Sequence, residues 1–376
     1  MAELLPEMVR ADILPVVLCL RKRQEEGIEE EVVKKGFDVR FIPGSSFFSK
    51  VLNLRKFLRK EKPDLIHSSL FQANLITRFA ALGLPVAVLS SIVNTPYEKV
   101  RFEDPDISPA RLRTVRQIDA WTSRHLTTHF HAVSNFAKSS AMKNLGIPGE
   151  QITVIERGRD PSRLGLPSLE RRRCARQQLG LSEKKIVITN IGRHDYQKGQ
   201  KYLLQTIPGL AQKYPEIVLL IAGRKGTSSA ELERIRENLG LEEKVRFLGH
   251  CQNIPDILAA TDLFVFPSLF EGLPGAILEA MALGLPLVAS DIPSNREVLE
   301  EGKNALLVAP KSTAALSAAM DTLLADESLC RKFGQRSREI FEERFTIGRS
   351  GSRMIKLYQD IIATKQDGAK NGKGSI

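Results

Sequence analysis

The sequence predicts an α/β protein of two doubly wound, parallel-sheet domains, and three observations carry that prediction. Short apolar segments alternate with helical segments from end to end, the pattern of βαβ units with helical crossovers. The chain has 376 residues, too many for one ordinary core and suited to two. A cluster of Gly, Pro and Ser at 159–167 interrupts the alternation near the middle of the chain.

In the first half, strands are expected at 13–20, 38–42, 64–68, 86–91, 130–133 and 153–155, with helices at 25–35, 48–60, 72–82, 109–126 and 135–145. An Arg-rich helix at 168–179 opens the second half. Its strands are expected at 186–192, 217–222, 245–248, 263–266, 287–290 and 305–308. The expected division is 1–165 and 166–346, followed by a helix at 347–364 and a disordered Gly- and Lys-rich tail at 365–376. That last helix carries Met354, Ile355, Leu357, Tyr358, Ile361 and Ile362 at helical spacing, so it needs a partner surface and is expected to cross back to the first domain.

Composition excludes several classes. The net charge of +11 is not accompanied by a nucleic-acid motif, and aromatics at 6% are too few for a stacking platform. Anionic lipid or phosphorylated substrates account for the sign as well. No apolar run reaches the roughly 18 residues that span a bilayer, and the acidic start Met-Ala-Glu-Leu-Leu-Pro-Glu is no signal peptide, so a cytoplasmic location is expected. The four cysteines are scattered and read as reduced thiols, with no metal spacing.

The most informative stretch is 267–281. It places Glu271 in a Gly/Pro turn after the apolar strand at 263–266, then opens a helix with small residues. Glu279 follows about two turns on, at ~3.6 residues per turn. A strand, a turn and a helix N-terminus form an anion site, because unpaired N–H groups point at the ligand. Two carboxylates beside it suit the hydroxyls of a nucleotide sugar. Glu279 lies between Leu278 and Ala280 in an otherwise apolar helix, where an unpaired carboxylate costs several kcal/mol, so a ligand hydroxyl is its expected partner. Leu273, Gly275 and Ala276 are candidates for backbone contacts, the missing Cβ of Gly275 permitting close approach. Arg193 and Lys198 follow the strand at 186–192, next to Gly192, and form a pair suited to a diphosphate. Alone, that pair also fits two solvated cations in a polar turn.

Glu271 to Glu279, with Gly272, Leu273, Pro274 and Gly275 between them, resembles the two-glutamate signature of family 4 glycosyltransferases. The resemblance continues through 285–291 and 304–310, and upstream through 247–250, 254–258 and 191–199. It implies the GT-B fold, two Rossmann-like domains facing a cleft. It further implies a retaining, metal-independent transfer of a hexose-type sugar from a UDP- or GDP-sugar to a glycan or lipid-linked acceptor, with no cofactor beyond the donor. Glu271 would contact the transferred sugar, Glu279 the ribose, and Arg193 and Lys198 the diphosphate, with Gly192, Gly272, Leu273, Gly275 and Ala276 completing the donor set. Two departures stand against this. The family opens with a strand and Gly-rich turn, whereas this sequence starts within what resembles the following helix. A misassigned or truncated start is the expected reading and a genuinely shorter variant the alternative, in which the missing strand would leave a groove in the first sheet. The family's cleft His after the strand matching 86–91 is also absent. These departures make a nucleotide-sugar-binding protein without transferase activity a rival reading; an epimerase on the same fold is another, though that class generally lacks the two-glutamate segment.

In the first domain His67, Asn94, His131 and Ser134 sit at or near strand ends, where a cleft-facing role and a satisfied structural role are both open. Asp104 and Asp106 have the spacing of a metal-holding pair, but they follow no strand and read as a surface loop. Residues 47–60 combine Phe47, Phe48, Val51, Leu52, Leu54, Phe57 and Leu58 with Lys50, Arg55, Lys56, Arg59 and Lys60, and no acid. Such a helix either packs wholly on the sheet or also meets an anionic membrane on its inner face.

Overall fold

Every strand pairing in the computed structural model, which describes residues 2–21 and 28–371, is parallel. The chain divides into two units: residues 1–97, 109–158 and 347–376 in the first, 98–108 and 159–346 in the second.

The first unit holds β1 (Val16–Cys19), β2 (Asp38–Phe41), β3 (Leu65–Ser69), β4 (Ala87–Ile92), β5 (His129–Ala132) and β6 (Ile152–Val154). They form two separate sheets, β1-β2 and β3-β4-β5-β6. The first strand is shorter than expected. Asp12 adopts a left-handed φ of 57°, and Pro15 has no N–H for a ladder, so pairing starts at Val16 and leaves Leu14 91% exposed. One apolar layer joins both sheets, with Leu18 and Ile66 packed against Leu54, Leu58, Ile76, Ala80 and Val88. On another, Ala87, Leu89 and Ile155 meet Met354, Leu357, Tyr358 and Ile361 of the Ile347–Asn371 helix. The i, i+3, i+4, i+7 spacing of that quartet gives the helix one buried stripe. The helix continues beyond 364 to Asn371, because Ala, Lys and Gln sustain it and Gly368 costs only ~1 kcal/mol. The helix expected at 25–35 is seen as Ile28–Lys34, its start lying outside the described residues.

The second unit is one six-stranded sheet of β7 (Ile186–Ile191), β8 (Ile217–Ala222), β9 (Val245–Gly249), β10 (Leu263–Phe266), β11 (Leu287–Ser290) and β12 (Ala305–Val308). The order is β12-β11-β10-β7-β8-β9, so the chain winds outward from β7 and reverses at β10. Burial on both faces explains the unbroken Ile/Val/Leu runs: all six residues of β8 are buried. Its boundary falls at Arg159 rather than 166, because Arg159 N–H donates to Phe345 O at 2.8 Å and Arg159 pairs with Thr346. Residues 98–108 are also part of this unit, although they lie in sequence between β4 and the Pro109–Leu126 helix of the first. Asp104 is buried there, accepting from Arg101 Nη1 at 3.0 Å and from the Asp106 N–H at 3.1 Å. The surface loop expected at Asp104 and Asp106 is instead a turn anchored by Asp104.

Candidate functional site

The reversal between β7 and β10 marks the candidate site. In open parallel sheets ligands collect beyond the carboxyl ends of the strands where the winding direction changes. The loops that leave those two hydrogen-bonded neighbours carry Arg193 and Lys198 after β7 and Glu271 after β10. They are zipped together. Leu269 N–H donates to Gln197 O, and Gln197 Nε2 donates to Phe270 O, both at 2.8 Å. The Lys198 stem crosses Gly192, whose ideal Cβ would come within 3.1 Å of it. Its ammonium lies 5.4 Å from the Phe266 ring centroid and 2.6 Å from Glu271 Oε1. Arg193 is held apart, pairing with Asp195 in its own loop and remaining 65% exposed.

Gly272, Leu273 and Pro274 are buried and lead into the Gly275–Ala282 helix, whose N-terminus has no side-chain cap. Glu279 stands four residues after Gly275, on the same helix face. Its carboxylate has a protein partner: Arg159 Nε donates to Glu279 Oε1 at 2.7 Å. The ligand hydroxyl expected as its counterpart is therefore replaced by a guanidinium in this structure. The bareness of Gly275 also serves that side chain, since an added Cβ would lie 2.0 Å from Arg159 Nη2. Two carboxylate–cation pairs, Glu271–Lys198 and Glu279–Arg159, thus bracket the helix entrance beside Ala276. Chemically, each couples a hydroxyl-accepting carboxylate to a cation able to hold phosphate. Sequence reasoning missed Arg159, Gln197 and Phe270. Only Arg159 had a signal, a cation in the Gly/Pro break, and nothing local named its partner.

Of the first-unit candidates, His67 and His131 share one hydrogen-bonded chain through Ser91, while Ser134 and Asn94 have local backbone partners. Tyr358 OH lies 2.8 Å from His67 Nδ1, His67 Nε2 lies 2.6 Å from Ser91 Oγ, Ser91 Oγ lies 2.9 Å from His131 Nδ1, and His131 Nε2 lies 2.8 Å from Ile155 O. One set of neutral tautomers satisfies the whole chain, each Nε2–H donating and each Nδ1 accepting. Burial pushes the His131 imidazole down to about 4, with Arg157 and Arg353 adding to the fall against the pull of Ile155 O. Burial, then His131, holds His67 well below the usual histidine range. Ser134 caps the Asn135–Leu145 helix by accepting from Ala137 N–H at 3.0 Å. Asn94 Oδ1 accepts from Thr95 N–H at 2.8 Å in the loop after β4. Among the described residues no cluster of three His, Cys, Asp or Glu could hold a metal ion.

The family pattern Glycosyl transferases group 1 matches residues 172–340, and Glycosyltransferase Family 4 matches residues 1–163. The chain is 25% identical over 322 residues to the UDP-Gal:alpha-D-GlcNAc-diphosphoundecaprenol alpha-1,3-galactosyltransferase of Escherichia coli, covering 84% of this chain and 80% of that protein. It is 25% identical over 323 residues to the alpha-D-kanosaminyltransferase of Streptomyces kanamyceticus, covering 83% and 81%. In fold it is similar to Anabaena HepE, solved in complex with UDP and glucose, with TM-score 0.82, 21% identity and 95% of each chain covered.

Proposed function

Because the chain belongs to the glycosyltransferases of group 1 and family 4, with the GT-B fold, we propose that it moves a hexose from a UDP- or GDP-sugar to a glycan or lipid-linked acceptor, with retention and without a metal. The biological setting of this reading is cell-surface polysaccharide or glycolipid synthesis, and the E. coli relative's name specifies a lipid-linked acceptor. The observation that carries the proposal is the Lys198–Glu271 pair at the reversal between β7 and β10.

The donor diphosphate takes the place of Glu271 as the partner of Lys198, and the freed carboxylate turns to the sugar. As the bond to the anomeric carbon breaks, negative charge grows on the leaving diphosphate. Lys198 and the free N–H groups at the Gly275–Ala282 entrance stabilise it in place. Glu271 orients the sugar and offsets positive charge on its ring. The departing phosphate oxygen takes the acceptor proton on the same face, which retains configuration. Glu279 receives the ribose hydroxyls, with Arg159 orienting its carboxylate. The test is a panel of UDP- and GDP-sugars scored for binding and for slow release of the nucleoside diphosphate. Saturable binding of one donor class supports the reading, and indifference to all of them removes it.

The Phe47–Glu61 helix supplies a membrane-facing edge in this reading. Phe48 and Leu52, one turn apart, are 77% and 60% exposed, with Lys56, Arg59 and Lys60 exposed nearby. Two of the five expected cations are not available: Lys50 is buried, and Arg55 bonds Ala80 O and Leu82 O at 3.0 and 2.5 Å. Among the described residues no helix is long and apolar enough to cross a membrane. The proposed association is therefore peripheral, through an apolar edge and three cations.

A further inference from the structure

Residues 98–108 make two contacts at the donor loops that neither the sequence pattern nor the proposed chemistry uses. The 3-10 turn Lys99–Glu103 is braced internally, Arg101 Nη1 donating to Asp104 Oδ2 at 3.0 Å and Arg101 N–H to Glu98 O at 2.9 Å. So braced, the Arg101 guanidinium lies 5.5 Å from the centroid of the buried Phe270 ring. Phe270 directly precedes Glu271. Two residues past Arg101, the Glu103 carboxylate pairs with Lys311, and the Lys311 ammonium lies 5.8 Å from the Tyr196 ring centroid. Tyr196 opens the Tyr196–Lys198 turn that presents Lys198. Lys311 is one of the few non-glycine residues at positive φ, 66°, a conformation that its surroundings must hold.

We infer that Arg101 and Glu103 are positioning residues: the 98–108 segment clamps both halves of the Lys198–Glu271 pair, one through Phe270 and the other through Lys311 and Tyr196. The functional part of the inference rests on the donor-site reading above. Cation–ring contacts are directional and strengthen on desolvation, which the buried Phe270 provides. The Glu103–Lys311 pair alone, half-exposed, would contribute little to stability, so its use is geometric.

Hydrogen exchange of the unliganded full chain tests the clamp directly. Arg101→Ala and Glu103→Gln are expected to speed amide exchange at 196–199 and 269–272 roughly tenfold, with the rest of the sheet unchanged. Arg101→Lys, which keeps a cation over the ring, is expected to fall between. With the donor, Arg101→Ala should lower kcat roughly tenfold while KM changes little, because it disturbs the approach to Glu271 without removing a donor contact. Wild-type exchange in both loops would overturn the inference, and so would faster exchange spread over the whole second sheet. Lys198→Ala separates the two readings: if it keeps nucleoside-diphosphate binding intact, the donor site is wrong, while the exchange data still judge the clamp.

Discussion

Arg159 reaches across the bare backbone of Gly275 to hold Glu279, Nε to Oε1 2.7 Å, joining positions 120 residues apart. The glycine, the glutamate and the arginine are one device, and each constrains the others. Gly275→Ala should displace the guanidinium and weaken donor binding about tenfold, the loss of one charge-assisted hydrogen bond. Adding Arg159→Ala to Gly275→Ala should cost little more, since the clash and the pair share one side chain. Calorimetric binding of the single and double variants checks this, and fully additive losses would show that the residues act apart.

The other pair, Lys198 and Glu271, is expected to separate binding from turnover. Lys198→Ala should weaken donor binding by about 1.5–3 kcal/mol and lower turnover, because the diphosphate loses its half-buried cation. Glu271→Gln should lower kcat more than it changes affinity. Arg193→Ala is expected to have the smaller effect of the two cations, since Arg193 is exposed and already paired with Asp195. Equal kcat for wild type and Glu271→Gln on a proven donor would remove Glu271 from the reaction.

The His67–Ser91–His131 relay is expected to make stability depend on pH. In the unfolded chain the His131 imidazole titrates near 6.5, whereas the folded site holds it down to about 4. Its contribution is complete above 6.5 and is lost as pH falls toward 4, because the unfolded chain binds a proton that the native one refuses. From His131 alone the loss amounts to about 3 kcal/mol. Urea unfolding between pH 7.5 and 4.5 should show a decline that flattens in the His67→Gln, His131→Gln variant. Parallel declines in the two proteins would place the acid sensitivity elsewhere.

Vesicle sedimentation tests the membrane edge. Binding to anionic vesicles is expected at low salt, falling at high salt and in a variant with Lys56, Arg59 and Lys60 changed to Glu, at about 1 kcal/mol per cation. Phe48→Ser with Leu52→Ser should weaken what remains. Indifference to anionic lipid at low salt would leave this helix an ordinary crossover.

The strands were legible because parallel strands buried on both faces leave continuous apolar runs, as in β8, and because Gly/Pro turns bound them. The loops after β7 and β10 were legible for a related reason: Glu271, Lys198 and the helix entrance lie in two short stretches of sequence. Arg159 was not, since its partner lies across the unit and only the folded backbone of Gly275 brings them together. The 98–108 arm carries no helical or strand period, and its charges read as solvated until Phe270 and Lys311 are placed against them. The final helix runs further than its sequence suggests, because a single Gly is a weak breaker once a packed stripe has nucleated the helix.

The central claim is that the β7–β10 reversal binds the nucleotide end of the donor. Hydrogen exchange with and without a saturating UDP- or GDP-sugar tests it most directly. The account predicts slowed exchange at 192–199 and 271–279, lost in Lys198→Ala, with the outer edge of β9 unchanged. Protection confined to other segments, with these two stretches unaffected by a bound donor, would contradict it.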